Sequence, residues 1–498
     1  MIHVPVALLL ESALSLAPLP TPTQVDRLIG TARKAWSAPG IAVVLVRREQ
    51  ILYLQAHGLR QIQPQQPLTV DTLFPLASCT KAFTTTLMAQ LVDEQQLHWD
   101  DPPSKYLPDF HLSDRHADAL LTLRDLLCHR CGLGGHDLLW YRAPWKLDEV
   151  LRRCRHLPLD YPFRGGFAYS SIPFIAAGKI LEKRTGRPWE DLLRERLCEP
   201  MGMAAVIFHS GDPLPPGVVR AVGYRREGPN APLRVAAPYP MPEANPAGSL
   251  HTTPRDLALW LQFQLNEGRA PNGRRLVSVA QLRETHRPHN LLPMSEAARR
   301  QNPETIQLCY ALGWLSYDYR GQRVLAHGGL IDGFRLQLTL LPEADLACAV
   351  LCNLQDGRLP LALTNALIDL YLRLPPKDWI TYYRRLDDDD AREQARRRTA
   401  LLQQRDPHRP PSLPLECYSG AYDHPAYGPV HVTLQETKDP SPRLRLRFSS
   451  FDCPLEPFAA DTFRVSDGFF TDQLVTFTVT NRRVTSLRFL EMNFPRRP

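Results

Sequence analysis

Segments with strand character stand on both sides of a long helical stretch, and this order restricts the fold more than any other feature of the sequence. β-Branched and apolar residues fill 41–48 and 51–58, with the polar pair Glu49-Gln50 between them, which predicts a β-hairpin. Short β-rich segments separated by turn residues return between 311 and 353. We therefore expect an α+β domain in which the early and late strands join one antiparallel sheet and the helices cover it.

Helical periodicity dominates the region between these strands. In the segment 78–96, apolar residues recur at helical spacing, which places Ser78 at or near the start of a helix. Further stretches have the same character, some of them opened by a threonine that suits a helix N-cap: 122–128, 171–185, 189–197 and 254–267. The middle of the chain is therefore predicted to supply the helices that cover the sheet.

Changes in composition divide the chain into parts. The expected division is a leader or signal segment over 1–24, a main domain over 25–374, a charged helix with a proline-rich linker over 375–414, and a small β domain over 415–498. At the N-terminus, an apolar stretch and nearby small residues are typical of a signal peptide, but Glu11 interrupts the stretch and no basic residue precedes it. A periplasmic or secreted location and a cytoplasmic one both stay open.

Charge and cysteine content exclude several classes of function. Lys and Arg total 59 against 52 Asp and Glu, a net charge of +7, and both signs alternate along most of the chain, so nucleic acid is not an expected partner. No apolar run reaches the roughly 18 residues that cross a bilayer, so no membrane span is expected. Cys128 and Cys131, with His129 and His136 nearby, lack further ligands at zinc spacing, so we expect no metal and no other cofactor. The oligomeric state stays open.

One motif carries the chemistry of a nucleophile. Ser78 and Lys81 form an S-x-x-K motif, and residues three apart share a helix face, so the lysine amine can approach the serine hydroxyl. A serine hydroxyl is a weak nucleophile until a neighbouring base takes its proton. Burial and the positive end of the helix both disfavour a charged lysine, which would let Lys81 act as that base. Alone the motif is weak, because a helix-capping serine beside a surface lysine gives the same pattern.

Two later motifs strengthen this interpretation, because they follow in a recognisable order. A Y-S-S motif begins at Tyr169, just before an apolar helix, and an H-G-G motif begins at His327, at the end of one predicted strand and before another. With its S-x-x-K, the chain resembles the serine β-lactamase and penicillin-binding-protein family, in the class C-related D-alanyl-D-alanine carboxypeptidase/esterase branch, whose members carry Y-x-N and then K-T-G or H-x-G. The resemblance covers about 25–370, and the last segment is similar to a β appendage of some members.

The resemblance implies a fold and a reaction. The fold would be a β-lactamase/transpeptidase-like antiparallel sheet flanked by helices, plus a small C-terminal all-β domain. The reaction would cleave an ester or amide in a small-molecule or peptide-like substrate through an acyl-enzyme on Ser78, with Lys81 and Tyr169 sharing the proton transfer. The backbone N–H groups of Ser78 and Leu330 would form the oxyanion hole. The substrate-binding residues would be Ser171, His327, Gly328 and Gly329.

The sequence departs from the family pattern at two positions. Ser171 stands where the family has asparagine and offers a shorter side chain. His327 replaces the lysine of K-T-G, which weakens a fixed positive charge for a β-lactam carboxylate. We therefore expect esterase, carboxypeptidase or aminopeptidase-like activity rather than an efficient β-lactamase. The alternative is a catalytically silent ligand-binding or sensor protein on the same fold, and the C-terminal domain is either a structural cap or a substrate-gating module.

Overall fold

A nine-stranded antiparallel sheet forms the centre of the larger unit in the computed structural model, which describes residues 19–228, 231–435 and 443–498. Among these residues the strands of this unit are β1 (Gly40–Val46), β2 (Ile51–Gln61), β3 (Gln66–Pro67), β4 (Thr72–Pro75), β5 (Val219–Arg220), β6 (Tyr224–Arg225), β7 (Arg234–Val235), β8 (His251–Thr252), β9 (Asn290–Leu291), β10 (Leu308–Tyr310), β11 (Leu315–Tyr319), β12 (Gln322–Ile331), β13 (Phe334–Leu341) and β14 (Leu346–Cys352). The main sheet has the order β3-β2-β1-β14-β13-β12-β11-β10-β9.

The pairing of β1 with β14 joins the early and late strands, as the sequence predicts. Val43 lies opposite Val350 in this antiparallel pair, and every residue of both strands is buried. Such continuous apolar strands suit a sheet that is covered on both faces. The predicted α+β class is therefore confirmed.

Helices pack on the two faces of this sheet. In the described residues they are α1 (Pro22–Trp36), α2 (Thr80–Asp93), α3 (Arg115–Leu120), α4 (Leu123–Leu127), α5 (Leu147–Arg153), α6 (Ile172–Thr185), α7 (Trp189–Leu193), α8 (Glu199–Met201), α9 (Pro254–Leu265), α10 (Val279–His286), α11 (Glu296–Gln301), α12 (Leu359–Tyr371) and α13 (Trp379–Gln403). The helices predicted over 122–128, 171–185 and 254–267 correspond to α4, α6 and α9. The helix predicted over 189–197 is α7 followed by a π-helical turn.

Side-chain hydroxyls fix several helix starts. Thr122 accepts a hydrogen bond from the N–H of Asp125 at the start of α4, and Thr253 accepts one from Asp256 at the start of α9. These caps satisfy N–H groups that have no partner within the helix. Residues 1–18 of the predicted leader lie outside the described residues, and α1 begins at Pro22 with Thr21 as its cap.

Alternate residues of β1 belong to different cores, because side chains along a strand point to opposite faces of the sheet. Ala42, Val44 and Val46 join the core that includes residues of α2, α6 and α9. The residues between them join the core formed with α1, α12 and the start of α13. The candidate nucleophile lies on the first of these faces, since α2 follows Ser78 directly.

The helix α13 carries the charged sequence of the stretch 375–414. Its buried residues are confined to its first turns: Trp379, Ile380, Tyr383 and Leu386. The run of acidic and basic residues that follows is mostly exposed, as a solvated helix surface requires. No helix in the part of the chain that the structure describes is long and apolar enough to cross a membrane.

The C-terminal part forms an eight-stranded sheet that is nearly closed. Its strands, paired in sequence order, are β15 (Gly420–His424), β16 (Gly428–Gln435), β17 (Arg443–Phe448), β18 (Phe451–Ala459), β19 (Thr462–Val465), β20 (Leu474–Thr480), β21 (Arg483–Phe489) and β22 (Met492–Pro495). A backbone bridge between Tyr422 and Arg496 brings the first strand to the end of the last one. Closing a sheet in this way protects its edges from pairing with other chains.

The C-terminal sheet packs against α5 and the loop between α4 and α5. A hydrogen bond of 2.7 Å joins Nδ1 of His136 to the hydroxyl of Tyr427. Arg153 donates to the carbonyl oxygen of Ala426 at 3.0 Å. Gly428 has a φ of +74°, and a Cβ there would lie 2.8 Å from the Trp145 ring, so glycine is needed for both reasons.

Candidate active site

Ser78 lies in a tight 3₁₀ turn, Ala77–Cys79, between the buried strand β4 and the helix α2. A helix therefore begins beside Ser78, as the sequence predicts, but Ser78 lies just before the α-helix and not in its first turn. Backbone hydrogen bonds hold the turn: Leu76 donates to the carbonyl oxygen of Leu250 at 2.7 Å, and Cys79 donates to that of Leu76 at 3.1 Å. The turn presents Ser78 at the end of a fixed strand.

The amine of Lys81 lies beside the Ser78 hydroxyl. Nζ of Lys81 is 3.2 Å from Oγ of Ser78 and 3.0 Å from the carbonyl oxygen of Ala247. It also lies 4.9 Å from the centre of the Tyr169 ring. The lysine side chain is fully buried, and no carboxylate of the described residues forms an ion pair with it. A buried amine without an anionic partner is poorly stabilised in its charged form.

The environment of Lys81 shifts its proton affinity accordingly. Burial lowers the pKa of Lys81 to about 7, and the more distant carboxylate of Asp137 offsets only part of this effect. An exposed lysine has a pKa of about 10.4. A substantial fraction of Lys81 is therefore neutral near neutral pH, with a lone pair that can accept a proton from Ser78.

Tyr169 packs against the same amine, but its own chemistry is different. Burial raises the pKa of Tyr169 well above its ordinary value, and the neighbouring Ser78 hydroxyl offsets part of that shift. The phenol oxygen is buried beside the Ser78 hydroxyl. Tyr169 is therefore a protonated phenol at neutral pH, one that can donate a proton but is a poor resting base.

Ser171 stands at the start of α6, where its carbonyl oxygen accepts hydrogen bonds from the N–H groups of Phe174 and Ile175. Its side chain is 5% exposed and does not cap the helix. No hydrogen bond joins its hydroxyl to Ser78 or Lys81 in the described part of the structure.

The H-G-G motif lies within a strand, not between two strands as the sequence predicts. β12 continues through His327 to Ile331, because its partner β13 pairs with it as far as Phe334. On the other side β11 ends its pairing at Ala326, so the edge beyond that point faces the Ser78 turn. Sγ of Cys79 lies 3.3 Å from the carbonyl oxygen of His327 across this gap.

The imidazole of His327 is held uncharged. Its Nδ1 lies 2.7 Å from the carbonyl oxygen of Gly328, which needs a proton on Nδ1. Its Nε2 therefore accepts from the hydroxyl of Tyr310 at 2.9 Å. Burial and the nearby amine of Lys81 lower the pKa of His327 to about 3. The strand thus carries no positive charge at this position near neutral pH.

Gly329 and Leu330 complete the edge that faces Ser78. A Cβ on Gly329 would lie 2.4 Å from the carbonyl oxygen of Leu76, so only glycine allows this approach. Asp332 and Gly333 both have positive φ, which is typical of a two-residue hairpin turn closed by a hydrogen-bonded pair. Hydrogen-bonded and open positions alternate along a strand, so the N–H of Leu330 points away from β13 and towards the gap beside Ser78.

Three groups near the predicted site residues have no role in the sequence analysis. The carbonyl oxygen of Ala247 belongs to a turn that follows Asn245, in a segment with none of the three motifs. Tyr310 lies in a short strand with no motif. His129 is buried with its Nε2 unpartnered among the described residues, and its ring centre is 4.6 Å from that of Tyr169. Only the three-dimensional packing brings these groups to Ser78.

The possible ligands considered for a metal do not form a cluster. Within the described ranges, no group of at least three histidine, cysteine or carboxylate side chains is arranged to hold a metal ion. His129 instead accepts a hydrogen bond from the N–H of Ser170 at 3.4 Å. His136 bonds the C-terminal domain through Tyr427.

Comparisons with known proteins agree with this geometry. A family model described as Beta-lactamase matches residues 25–373, and one described as Domain of unknown function (DUF3471) matches 404–497. An unguisins hydrolase of Aspergillus campestris is 30% identical over 422 residues, which cover 81% of this chain and 76% of that protein. Esterase EstB of Burkholderia gladioli is 30% identical over 232 residues, 41% of this chain and 59% of that protein.

The fold is shared with a solved structure of lower sequence similarity. The octameric penicillin-binding protein homologue from Pyrococcus abyssi has a TM-score of 0.60 at 19% identity, over 95% of this chain and 99% of that one. The match to the Beta-lactamase model extends over most of the chain and includes every residue of the cluster around Ser78. The chain therefore belongs to the serine β-lactamase family of hydrolases.

Proposed function

We propose that this protein cleaves an ester or amide through an acyl-enzyme on Ser78, with the neutral amine of Lys81 as the base. The observation that carries the proposal is the 3.2 Å contact between Nζ of Lys81 and Oγ of Ser78, made by a lysine that is fully buried. Burial lowers the pKa of Lys81 to about 7, so the amine can accept the serine proton near neutral pH.

The proposed first step forms the bond between Oγ of Ser78 and the substrate carbonyl carbon while Lys81 takes the hydroxyl proton. Electrons of the carbonyl bond move to the oxygen, which becomes an oxyanion. The N–H groups of Ser78 and Leu330 would stabilise it, and one well-placed donor of this kind contributes about 3 kcal/mol. Collapse of the oxyanion breaks the bond to the leaving group.

The leaving group must depart with a proton. Lys81 holds the proton taken from Ser78, and the phenol of Tyr169 beside it is suited to pass one to the leaving oxygen or nitrogen. Lys81 then returns its proton to Tyr169 and is neutral again. Water attacks the acyl-enzyme and gives a proton to Lys81, which passes it to Oγ of Ser78 as the acid leaves. The scheme needs no metal or organic cofactor for its proton and electron balance.

The expected substrate preference follows from the uncharged His327 on β12 and from the names of similar proteins. His327 is uncharged, so a fixed cation for a β-lactam carboxylate is missing at its position. Relatives named hydrolase and esterase, each 30% identical, support an ester or amide of a small molecule or peptide. We therefore favour esterase or peptidase-like activity over efficient β-lactam hydrolysis.

A fluorophosphonate probe and intact-protein mass spectrometry test the nucleophile. The wild-type protein should gain one adduct, and Ser78→Ala should gain none. Ser170→Ala is the matched control, because the Ser170 hydroxyl is buried without a hydrogen-bond partner among the described residues and should keep the adduct. Steady turnover of p-nitrophenyl esters, lost in Ser78→Ala, would separate an enzyme from a silent binding protein. Labelling that persists in Ser78→Ala would overturn the proposal.

A further inference from the structure

The C-terminal domain holds the backbone of Arg142 in a conformation that a non-glycine residue rarely adopts. Arg142 has a φ of +57°, in the left-handed region. Its carbonyl oxygen accepts hydrogen bonds from Oγ of Ser449 at 2.6 Å and Oγ of Ser450 at 2.8 Å. The N–H of Ser450 donates to the same oxygen at 3.3 Å. These serines form the turn between β17 and β18, so one domain fixes a residue of the other.

The side chain of Arg142 is held between aromatic rings but is not paired with a carboxylate. Its guanidinium carbon lies 5.5 Å from the ring centre of Tyr141 and 5.3 Å from that of Tyr239. Its Nε donates to the Tyr141 hydroxyl at 3.4 Å. No ion pair or other hydrogen bond engages its terminal N–H groups in the described part of the chain. Aromatic contacts occupy the faces of a guanidinium and leave its edge free for a carboxylate.

The hydroxyl of Tyr141, which accepts from Nε of Arg142, connects this arginine through Asp332 to the strand of the candidate oxyanion hole. Asp332 accepts from the Tyr141 hydroxyl at 2.5 Å and from the Tyr239 N–H at 2.8 Å. It lies two residues beyond Leu330, in the hairpin turn between β12 and β13. His327 lies three residues on the other side of Leu330. The Arg142 side chain and His327 therefore lie beyond opposite ends of the segment that faces Ser78.

The proton-transfer groups determine which part of the substrate points towards Arg142. The leaving group must lie near Lys81 and Tyr169, and the Tyr169 ring centre is 6.0 Å from that of His327. The leaving group therefore lies on the His327 side of the oxyanion. The acyl part must extend the other way along the strand, towards Asp332 and Arg142.

We infer that Arg142 is a specificity-determining residue that binds a carboxylate on the acyl part of the substrate. The Ser449–Ser450 turn of the C-terminal domain acts as its positioning element. The favoured substrates are then esters or amides whose acyl chain ends in a carboxylate several bonds from the scissile carbonyl. This inference rests on the proposed function, since it assumes turnover at Ser78.

Matched esters test the carboxylate preference. The probes are mono-4-nitrophenyl esters of glutaric, adipic and suberic acid, each compared with the same ester whose distal carboxylate is capped as a methyl ester. The measured quantity is the ratio of kcat/KM for the charged ester to that for the capped one. In Arg142→Gln this ratio should fall about tenfold or more for the best chain length, as expected when a charge-assisted hydrogen bond is lost. Arg115→Gln, at an exposed arginine of α3, is the matched control and should keep the ratio.

A second variant tests the positioning role of the C-terminal domain. The double substitution Ser449→Ala and Ser450→Ala removes the two hydroxyl donors to the Arg142 carbonyl oxygen but leaves the guanidinium in place. The ratio should fall again, through a higher KM for the charged ester and not through a lower kcat. A ratio within twofold of wild type in both variants, with turnover still dependent on Ser78, would overturn this inference alone. Absence of Ser78-dependent turnover of every ester would overturn the proposed function as well.

Discussion

The hydroxyl of Tyr310 lies 2.9 Å from Nε2 of His327, and both side chains are almost fully buried. Because Nδ1 of the same ring donates to the carbonyl oxygen of Gly328, Nε2 has no proton of its own and must accept. The pair therefore fixes the tautomer and the orientation of the imidazole. His327 acts on this strand as a neutral, hydrogen-bonded group that fills the space beside Tyr169.

Removing the Tyr310 hydroxyl, which donates to Nε2 of His327, should destabilise the fold. In Tyr310→Phe, Nε2 of His327 stays buried without a partner, and an unsatisfied buried acceptor costs about 1–3 kcal/mol. We expect the free energy of unfolding, measured with urea, to fall by about that amount. Tyr317→Phe is the control, because no hydrogen bond of the Tyr317 hydroxyl is present in the described structure. An equal effect of both substitutions would show that the bond to His327 contributes nothing.

The approach of Gly329 to the nucleophile turn predicts a strong effect of one methyl group. A Cβ at Gly329 would lie 2.4 Å from the carbonyl oxygen of Leu76, so Gly329→Ala must move the strand away from Ser78. We expect kcat/KM for an ester to fall about 100-fold, as displacements of about 1 Å at a reacting centre do. In Gly328→Ala the nearest atom is Oε1 of Gln337 at 3.5 Å, so this variant should lose far less. A comparable loss in the two variants would contradict the steric argument.

Local patterns in the sequence predict much of the architecture. Helix caps such as Thr122 and Thr253 and the apolar content of β1 and β14 are local signals, and the fold class follows from their order along the chain. The S-x-x-K spacing likewise predicts the contact between Ser78 and Lys81. The 3₁₀ turn that carries Ser78 is not visible in this way, because its hydrogen bond to Leu250 joins distant segments.

The rest of the site depends on tertiary packing. Neighbouring residues alone predict that a strand ends at the H-G-G motif, since glycine weakens a strand interior. Pairing with β13 overrides that tendency and carries β12 through to Ile331. The hydrogen bonds of Tyr310 with His327 and of Ser449 with Arg142 join residues that are far apart in sequence. No local pattern encodes such pairs.

Burial of Lys81 predicts a pH-dependent cost to stability. In the native state its pKa is lowered to about 7, against about 10.4 for an exposed lysine in the unfolded chain. Between these values the unfolded chain binds the additional proton, so the free energy of unfolding rises with pH. Lys81→Met removes the titrating amine, so its free energy of unfolding should exceed that of wild type at about pH 6. The difference between the two proteins should narrow towards about pH 9. Urea unfolding at both pH values measures this difference, and a constant difference would contradict burial as the cause of the shift.

The same shift determines how acylation should depend on pH. If neutral Lys81 is the base, single-turnover acylation should rise with pH through an apparent pKa near 7, where the amine loses its proton. Lys81→Arg keeps a positive charge but cannot accept a proton, because a guanidinium stays protonated. We expect this variant to lose acylation by at least about 100-fold, the contribution of a general base.

Tyr169→Phe separates the two candidates for the base. Burial raises the pKa of Tyr169, so its phenol is protonated when acylation begins. In the proposed mechanism it would protonate the leaving group instead. Tyr169→Phe should therefore slow acylation less than Lys81→Arg and leave the rise near the pKa of Lys81 in place. The loss should be smaller for a p-nitrophenyl ester, whose leaving group needs no proton, than for an alkyl ester or an amide. Near wild-type acylation in Lys81→Arg, with a collapse in Tyr169→Phe, would instead assign the base to the tyrosine.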